Sequence, residues 1–325
     1  MKLAAKLLCY HCIKQKKHGG NNVLRKLLPW RRSLTVFSFH AVVPDPLPVV
    51  DFCFTPLQTF CRQLEAITSN YRIVTVAEAI EAIAAGTLPE RAAAITFDDG
   101  YRNTWDVALP ELRRKGVPAC VFACTGPILG GNPLWSAKLH HAICHTQHRS
   151  LVWYASRYSL ENPFLRSRSS ARLQQELRRL PPANLEAECD RLCLMLNVPD
   201  PASDDPTFSL LSPELIARMQ HTGMIEFGGH TRSHASLGRL PFHEQEIEIR
   251  GCAADLTELC GRTPRFFAYP YGTKSDFDRT TERLLAGAGF RAAFTTGEKR
   301  CPPKSPPMRL PRVSIGSHHW EQWVS

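Results

Sequence analysis

No stretch of the 325-residue chain approaches the roughly 18 consecutive apolar residues of a membrane-spanning helix. Near the start, the apolar residues Leu7, Leu8 and Cys9 are broken up by Lys6 and His11, short of the roughly 7–15 apolar residues of a secretory signal. The expectation is therefore a cytoplasmic protein. Its twelve cysteines then read as reduced thiols, most of them small core residues, with Cys120/Cys124 on a strand and Cys189/Cys193 on a helix face. There is no internal repeat. There is also no Gly-x-Ser-x-Gly elbow and no glycine-rich phosphate loop, which argues against serine-hydrolase and nucleotide chemistry. Cys9-Tyr10-His11-Cys12 has the spacing of half a zinc site, but no second pair follows it nearby.

Acidic residues are missing from 1–33, where nearly all the surplus charge sits. Of the net +10, nine positive charges fall there (Lys2, Lys6, Lys14, Lys16, Lys17, Arg25, Lys26, Arg31 and Arg32), which leaves the remainder nearly neutral. With Leu3, Leu7, Leu8, Leu24, Leu27, Leu28 and Trp30 among the cations, this leader suits either docking on an anionic membrane face, the inner leaflet, or a solvated tail. No basic face continues into the body, so a nucleic-acid partner is not expected.

What is present is a strand–helix alternation. Apolar runs at 34–39, 72–74, 92–97 and 117–124 read as strands, separated by helical patterns at 55–68, 76–85 and 103–115, with Thr55 as N-cap and Pro56 in the first turn of the first helix. Over 127–222 the rhythm gives way to helical signals at 138–146, 170–179, 185–196 and 213–222, read as a helical insertion. Strands resume at 224–227, 266–269, 291–295 and 310–315, with helices at 241–260 and 276–288 between them. About seven parallel strands, each followed by a helix, predict an α/β barrel. The organisation expected is a basic leader over 1–33 and one barrel domain over 34–325.

Three strand ends carry chemistry. The run at 92–97 stops in Asp98-Asp99-Gly100, and two carboxylates at the end of a buried strand are costly unless a cation or hydrogen bonds compensate. The alternative for either acid is to cap the helix that follows. The strand at 224–227 runs into Gly228-Gly229-His230-Thr231-Arg232-Ser233-His234, whose two histidines meet on one face if the chain makes a helical turn. Strand ends at the C-terminal rim of a parallel barrel converge, and one carboxylate with two histidines is a three-ligand set that leaves a position open for water. The third strand ends in Tyr269-Pro270-Tyr271-Gly272, where a backbone N–H such as that of Tyr271 could face a developing oxyanion; the alternative is an ordinary turn with two core tyrosines.

Thr96-Phe97-Asp98-Asp99-Gly100-Tyr101, His230-Thr231-Arg232-Ser233-His234 and Phe267-Ala268-Tyr269-Pro270-Tyr271-Gly272 resemble, in order and context, the polysaccharide deacetylase family (carbohydrate esterase family 4, NodB-homology type), over about residues 34–316. The resemblance implies a distorted (β/α) barrel and a metal-dependent hydrolase, most simply of Zn²⁺, that removes acyl groups from sugars. It implies Asp98 as general base, Asp99, His230 and His234 as metal ligands, and the Tyr271 N–H as oxyanion donor. Two departures stand out. Ala268 occupies a position where many members carry an arginine that pairs with the base, and no Leu-x-His segment closes the chain. Arg312 is the expected substitute partner of Asp98 or a substrate contact. A subgroup with a histidine on the first strand, here Phe39-His40-Ala41-Val42, implies His40 as the acid, with His318 and His319 as rivals. Trp135 and Tyr269 are candidate sugar contacts, Trp135 having packing of the insertion as its alternative. The expected substrate is an N-acetylated glycan or a lipid-linked precursor, as in exopolysaccharide synthesis. Deformylation or deacylation of another lipid-linked amino sugar, and a catalytically idle carbohydrate-binding relative, are the alternatives.

Overall fold

The computed structural model describes residues 33–316 and 320–324; most of the basic leader, with Cys9 and Cys12, and His318 and His319 lie outside them. In chain order the elements are β1 (Thr35–Phe39), β2 (Ala41–Val43), β3 (Phe54–Pro56), α1 (Leu57–Asn70), β4 (Arg72–Ile73), α2 (Val76–Ala85), β5 (Ala92–Phe97), α3 (Leu109–Lys115), β6 (Ala119–Ala123), α4 (Thr125–Gly130) and α5 (Trp135–His145). They continue with β7 (Ser150–Trp153), β8 (Ser156–Ser159), α6 (Pro163–Leu177), α7 (Pro182–Met195), α8 (Pro213–His221), β9 (Ile225–Gly229), α9 (Phe242–Cys260), β10 (Phe266–Ala268), α10 (Arg279–Gly287), β11 (Ala292–Thr296), β12 (Leu310–Ser314) and α11 (Glu321–Val324).

Seven strands close a parallel barrel in the order β1-β12-β11-β10-β9-β6-β5, with β5 returning to β1 over the full register Thr35↔Ala93 to Phe39↔Phe97. Every residue of β1, β5 and β6 is buried, as continuous apolar runs in a parallel sheet require. Closure is uneven. Ala93 has Thr35 on one edge and Ile73 of β4 on the other, while β6 joins only at Thr96 and Phe97. At the opposite wall β9 meets β10 at the single pair Phe267↔Gly229. These offsets are the distortion of the barrel.

Alternation along the strands divides the core. Val36, Ala94, Cys120, Phe122, Ala268, Phe294 and Leu310 form one cluster, shared with Val76 and Ala79 of α2. Phe37, Phe39, Ile95, Phe97 and Val121 form the other, shared with Phe60 and Leu64 of α1 and Ile216 and Met219 of α8. The first is the barrel interior. The sequence of α2 ends itself cleanly: Thr75 and Glu78 form a capping box and Gly86 closes the helix at φ 69°. Gly228 marks the tightest packing of the interior, where an added Cβ would lie 2.6 Å from the Phe122 ring and 2.7 Å from the Phe266 carbonyl oxygen. Gly228→Ala is expected to cost about 1–3 kcal/mol, read as a lowered denaturant midpoint.

Three local readings need correction. Thr55 and Pro56 are not helical; they pair with Val42 and Val43, and α1 starts at Leu57 with no side-chain cap. The helix read from 103 to 115 begins as a π turn over Thr104–Ala108, because Pro110 has no N–H to offer the carbonyl one turn back. Residues 150–159 are an antiparallel hairpin, β7 with β8, turned through Tyr154 at φ 49°. No glycine or asparagine announces that turn in the sequence, so 127–222 is not wholly helical. Within the same stretch, Trp135, Leu139, Trp153, Tyr158, Leu173 and Leu192 build a separate core, whereas Leu211, Ile216 and Met219 pack with the barrel.

Candidate active site

β5 delivers two adjacent acids into different surroundings. The Asp98 N–H donates to the Phe39 carbonyl at 2.9 Å, and the Gly100 N–H returns to the Asp98 carbonyl at 2.9 Å around Asp99 at φ 73°. That bond across one left-handed residue is a γ-turn of the rare, strained kind. Gly100, at φ 84°, extends the left-handed path. Neither carboxylate caps the following helix, whose N-cap is Asn103.

Asp98 is held by Arg312, which reaches past β1 from β12. Nη1 and Nη2 donate to Oδ1 and Oδ2 at 2.6 Å each, and Nη1 also donates to Thr96 Oγ1 at 3.2 Å. The guanidinium lies over Phe122, 5.4 Å from the ring centre. Arg312 is fully buried, so it offers nothing to a substrate directly. Ala268 lies on the interior face, as do Phe122 and Phe294. Burial pushes the Asp98 carboxyl up, but the Arg312 charge and hydrogen bonds outweigh it and hold the group below the usual carboxylate range. His40, just past β1, places Nε2 4.0 Å from Asp98 Oδ2 and packs edge-on against Phe52.

Asp99 faces the two histidines. Its Oδ1 lies 3.4 Å from His230 Nε2 and 3.3 Å from His234 Nε2. Burial opposes its charge, yet His234 and His230 hold its carboxyl well below the ordinary range. His230 Nδ1 is 2.7 Å from the Ala268 carbonyl, which fixes that nitrogen as the N–H and leaves Nε2 as a lone-pair donor. Burial lowers the His234 pKa and so favours its neutral, ligating form. The histidines do not meet through a helical turn. The loop bends through Thr231 at φ 65° and His234 at φ 61°, while Glu248 of α9 accepts from the N–H groups of Arg232 and Ser233. Spacing alone suggested a helix; left-handed residues braced by a distant glutamate bring the same two rings together, 5.1 Å apart.

This donor set fits a divalent cation. Asp99 Oδ1 is buried without a hydrogen-bond partner, and it forms with the two imidazoles the sole group of three metal-competent side chains among the described residues, all ligand atoms within 4.8 Å. A buried carboxylate oxygen with no hydrogen-bond donor, facing two imidazole nitrogens, is costly unless a cation joins it.

The third strand end presents a second γ-turn. Tyr271 sits at φ 62°, with the Gly272 N–H donating to the Pro270 carbonyl at 2.7 Å. Among the described residues the Tyr271 N–H meets no backbone acceptor. Gly272 is required where it stands, since a Cβ would lie 2.6 Å from the Thr296 nitrogen. The Tyr271 ring packs edge-on against His234 at 4.8 Å. Tyr269 does not face a ligand: it is fully buried, stacks on Phe277 and donates its hydroxyl to the Met308 carbonyl at 2.9 Å. It is a core residue packed with Phe267, Leu285 and Phe290, and the turn after Pro270 carries Tyr271 away from it to the rim.

A cavity of about 860 Å³ opens from His234 and Tyr271 and runs between the loop at 233–240 and the insertion, with Trp135, Gln175, Arg178, Glu186, Ser236 and Thr273 among its walls. Trp135 serves both readings, lining the cavity while packing in the insertion core. Two residues escaped the sequence reading. Arg178 lies over Tyr271, and Phe52, 61% exposed beside His40, offers an apolar face at the mouth of the site. Neither belongs to a motif; only the fold reveals them.

The sequence model of the family described as polysaccharide deacetylase matches residues 85–293. None of the curated proteins matches the sequence. Among solved structures, the chain is similar to IcaB from Ammonifex degensii, at 22% identity over 90% of this chain and 95% of that one, TM-score 0.59. The Streptococcus pyogenes deacetylase PplD, solved in complex with acetate, gives 16% identity over 88% and 93%, TM-score 0.59. The BpsB deacetylase domain from Bordetella bronchiseptica gives 16% identity over 88% and 97%, TM-score 0.55.

Proposed function

Since the chain belongs to the polysaccharide deacetylase family, we propose that it is a metal-dependent hydrolase that removes N-acetyl groups from the amino sugars of a glycan. The observation that carries this reading is the separation of two neighbouring acids, Asp98 locked to Arg312 and Asp99 left with an unpaired oxygen against His230 and His234. A proton carrier and a cation ligand are thereby set side by side.

Asp99, His230 and His234 would hold the cation, with Zn²⁺ favoured by the nitrogen-rich ligand set. When bound, it would supply Lewis acidity that polarises the acyl carbonyl and makes a water more acidic. Asp98, ionised and fixed by Arg312, takes a proton from the attacking water as the C–O bond forms. The Tyr271 N–H donates to the oxygen that gains charge. His40 gives a proton to the leaving nitrogen as the C–N bond breaks, which releases acetate and a free amine. The cavity receives the neighbours of the acetylated sugar, and Phe52 offers an exposed face for a sugar ring.

The test is acetate release from N-acetylglucosamine oligomers. Chelation is expected to remove the activity and added Zn²⁺ to restore it. Release that survives complete chelation would overturn the metal reading, and no release from any N-acetylated glycan would favour an idle carbohydrate-binding protein.

A further inference from the structure

Among the insertion side chains that line the candidate active site, Arg178 lies directly on the Tyr271 ring. Arg178, at the end of α6, lays its guanidinium 3.7 Å from the centre of the Tyr271 ring. Its Nη2 lies 3.8 Å from Asp276 Oδ1. Asp276 is buried and fixed in turn: its carboxylate accepts from Ser236 Oγ at 2.7 Å and from the Thr273 N–H at 2.9 Å. The end of α6 is itself tied down by Arg239, whose guanidinium donates to the carbonyls of Arg178, Arg179 and Leu180. The Tyr271 ring is thus in contact with a cation from the insertion and, edge-on, with the His234 ring at 4.8 Å.

The backbone of Tyr271 needs such support. Its left-handed γ-turn is a conformation that an L-residue keeps only when its surroundings over-determine it. On one side Thr296 donates its hydroxyl to the Tyr271 carbonyl at 2.7 Å. From the insertion, the stacked guanidinium supplies both a flat packing surface and a cation–π attraction.

The geometry points to Arg178 as a positioning residue for the reaction: it holds the Tyr271 turn, and with it the N–H aimed at the acyl oxygen, in register with His234. The insertion then belongs to the machinery of the site as well as to its walls. This inference rests on the reading of Tyr271 as oxyanion donor, and it predicts a loss that appears in the transition state and not in binding.

The experiment compares wild type, Arg178→Met and Arg178→Lys on N-acetylglucosamine oligomers, with crystal structures of wild type and Arg178→Met. Arg178→Met is expected to lower kcat about tenfold with KM within about twofold, and Arg178→Lys to recover part of the loss, because it keeps the cation but not the plane. In the crystal structure of Arg178→Met the turn at 270–272 is expected to be displaced. An unchanged kcat, or a rise in KM that accounts for the whole loss, would overturn the inference. If the wild-type protein releases no acetate, the functional reading falls, and the crystal structures decide the inference by themselves: a displaced turn supports it and an unmoved turn overturns it.

Discussion

Asp98→Asn is expected to lower kcat by about a thousandfold or more, within the range for loss of a general base, while metal content stays at the wild-type level. Asp98 meets Arg312 and His40, whereas the cation-competent atoms belong to Asp99 and the two histidines. An amide in place of the carboxylate removes the proton acceptor and leaves the ligand set whole. Steady-state acetate release and metal analysis of the purified variant check both halves. A variant that turns over at the wild-type rate would exclude Asp98 as the base, and one that loses its metal would show that the two acids share one job.

The second large effect is on stability. Arg312→Met removes the bidentate partner of Asp98 and strands a carboxylate that is almost completely buried. Breaking such a pair from one side typically costs about 3–5 kcal/mol, because the remaining charge has neither water nor counterion. Asp98→Asn strands the guanidinium in the same way. The double variant Asp98→Asn/Arg312→Met strands neither, and is expected to unfold at higher denaturant than Arg312→Met alone while remaining inactive. Any residual activity of Arg312→Met carries a further signature. With the arginine gone, burial loses the largest charge that opposes it, the Asp98 pKa rises, and the acid limb of its kcat/KM profile moves to higher pH. An acid limb that stays in place would mean that Arg312 does not set the ionisation of Asp98.

How far the sequence could be read depended on how local the information was. The Asp98-Asp99 and His230/His234 pairs sit at the ends of apolar runs, so their place together at one rim could be read from short segments. The barrel followed from the same runs, since continuous burial on both faces is what a parallel strand requires. What escaped was of two kinds. Left-handed backbone at Asp99, Thr231, His234 and Tyr271 carries no residue signature, because non-glycine residues adopt it only under tertiary constraint. That is why the histidine pair suggested a helical turn that does not exist. Contacts made across long stretches of chain escaped as well. Arg178 on Tyr271, Glu248 under the histidine loop and Phe52 beside His40 join segments that only the closed fold brings together. Tyr269 and Tyr271 show the limit in two letters: both tyrosines flank Pro270, and the left-handed turn at Tyr271 separates one packed under the helices from one at the rim.

The single register pair between β9 and β10 gives His230 a duty apart from its chemistry. Its imidazole donates to Ala268, the last residue of β10, from the residue that follows β9. The ring therefore acts as an extra rung where the backbone ladder is thinnest, bolting the wall that carries the histidines to the wall that carries the Tyr271 turn. Any replacement of His230 removes a fastener of the sheet along with a nitrogen facing Asp99, so reactivity and closure of the barrel are tied to one atom pair.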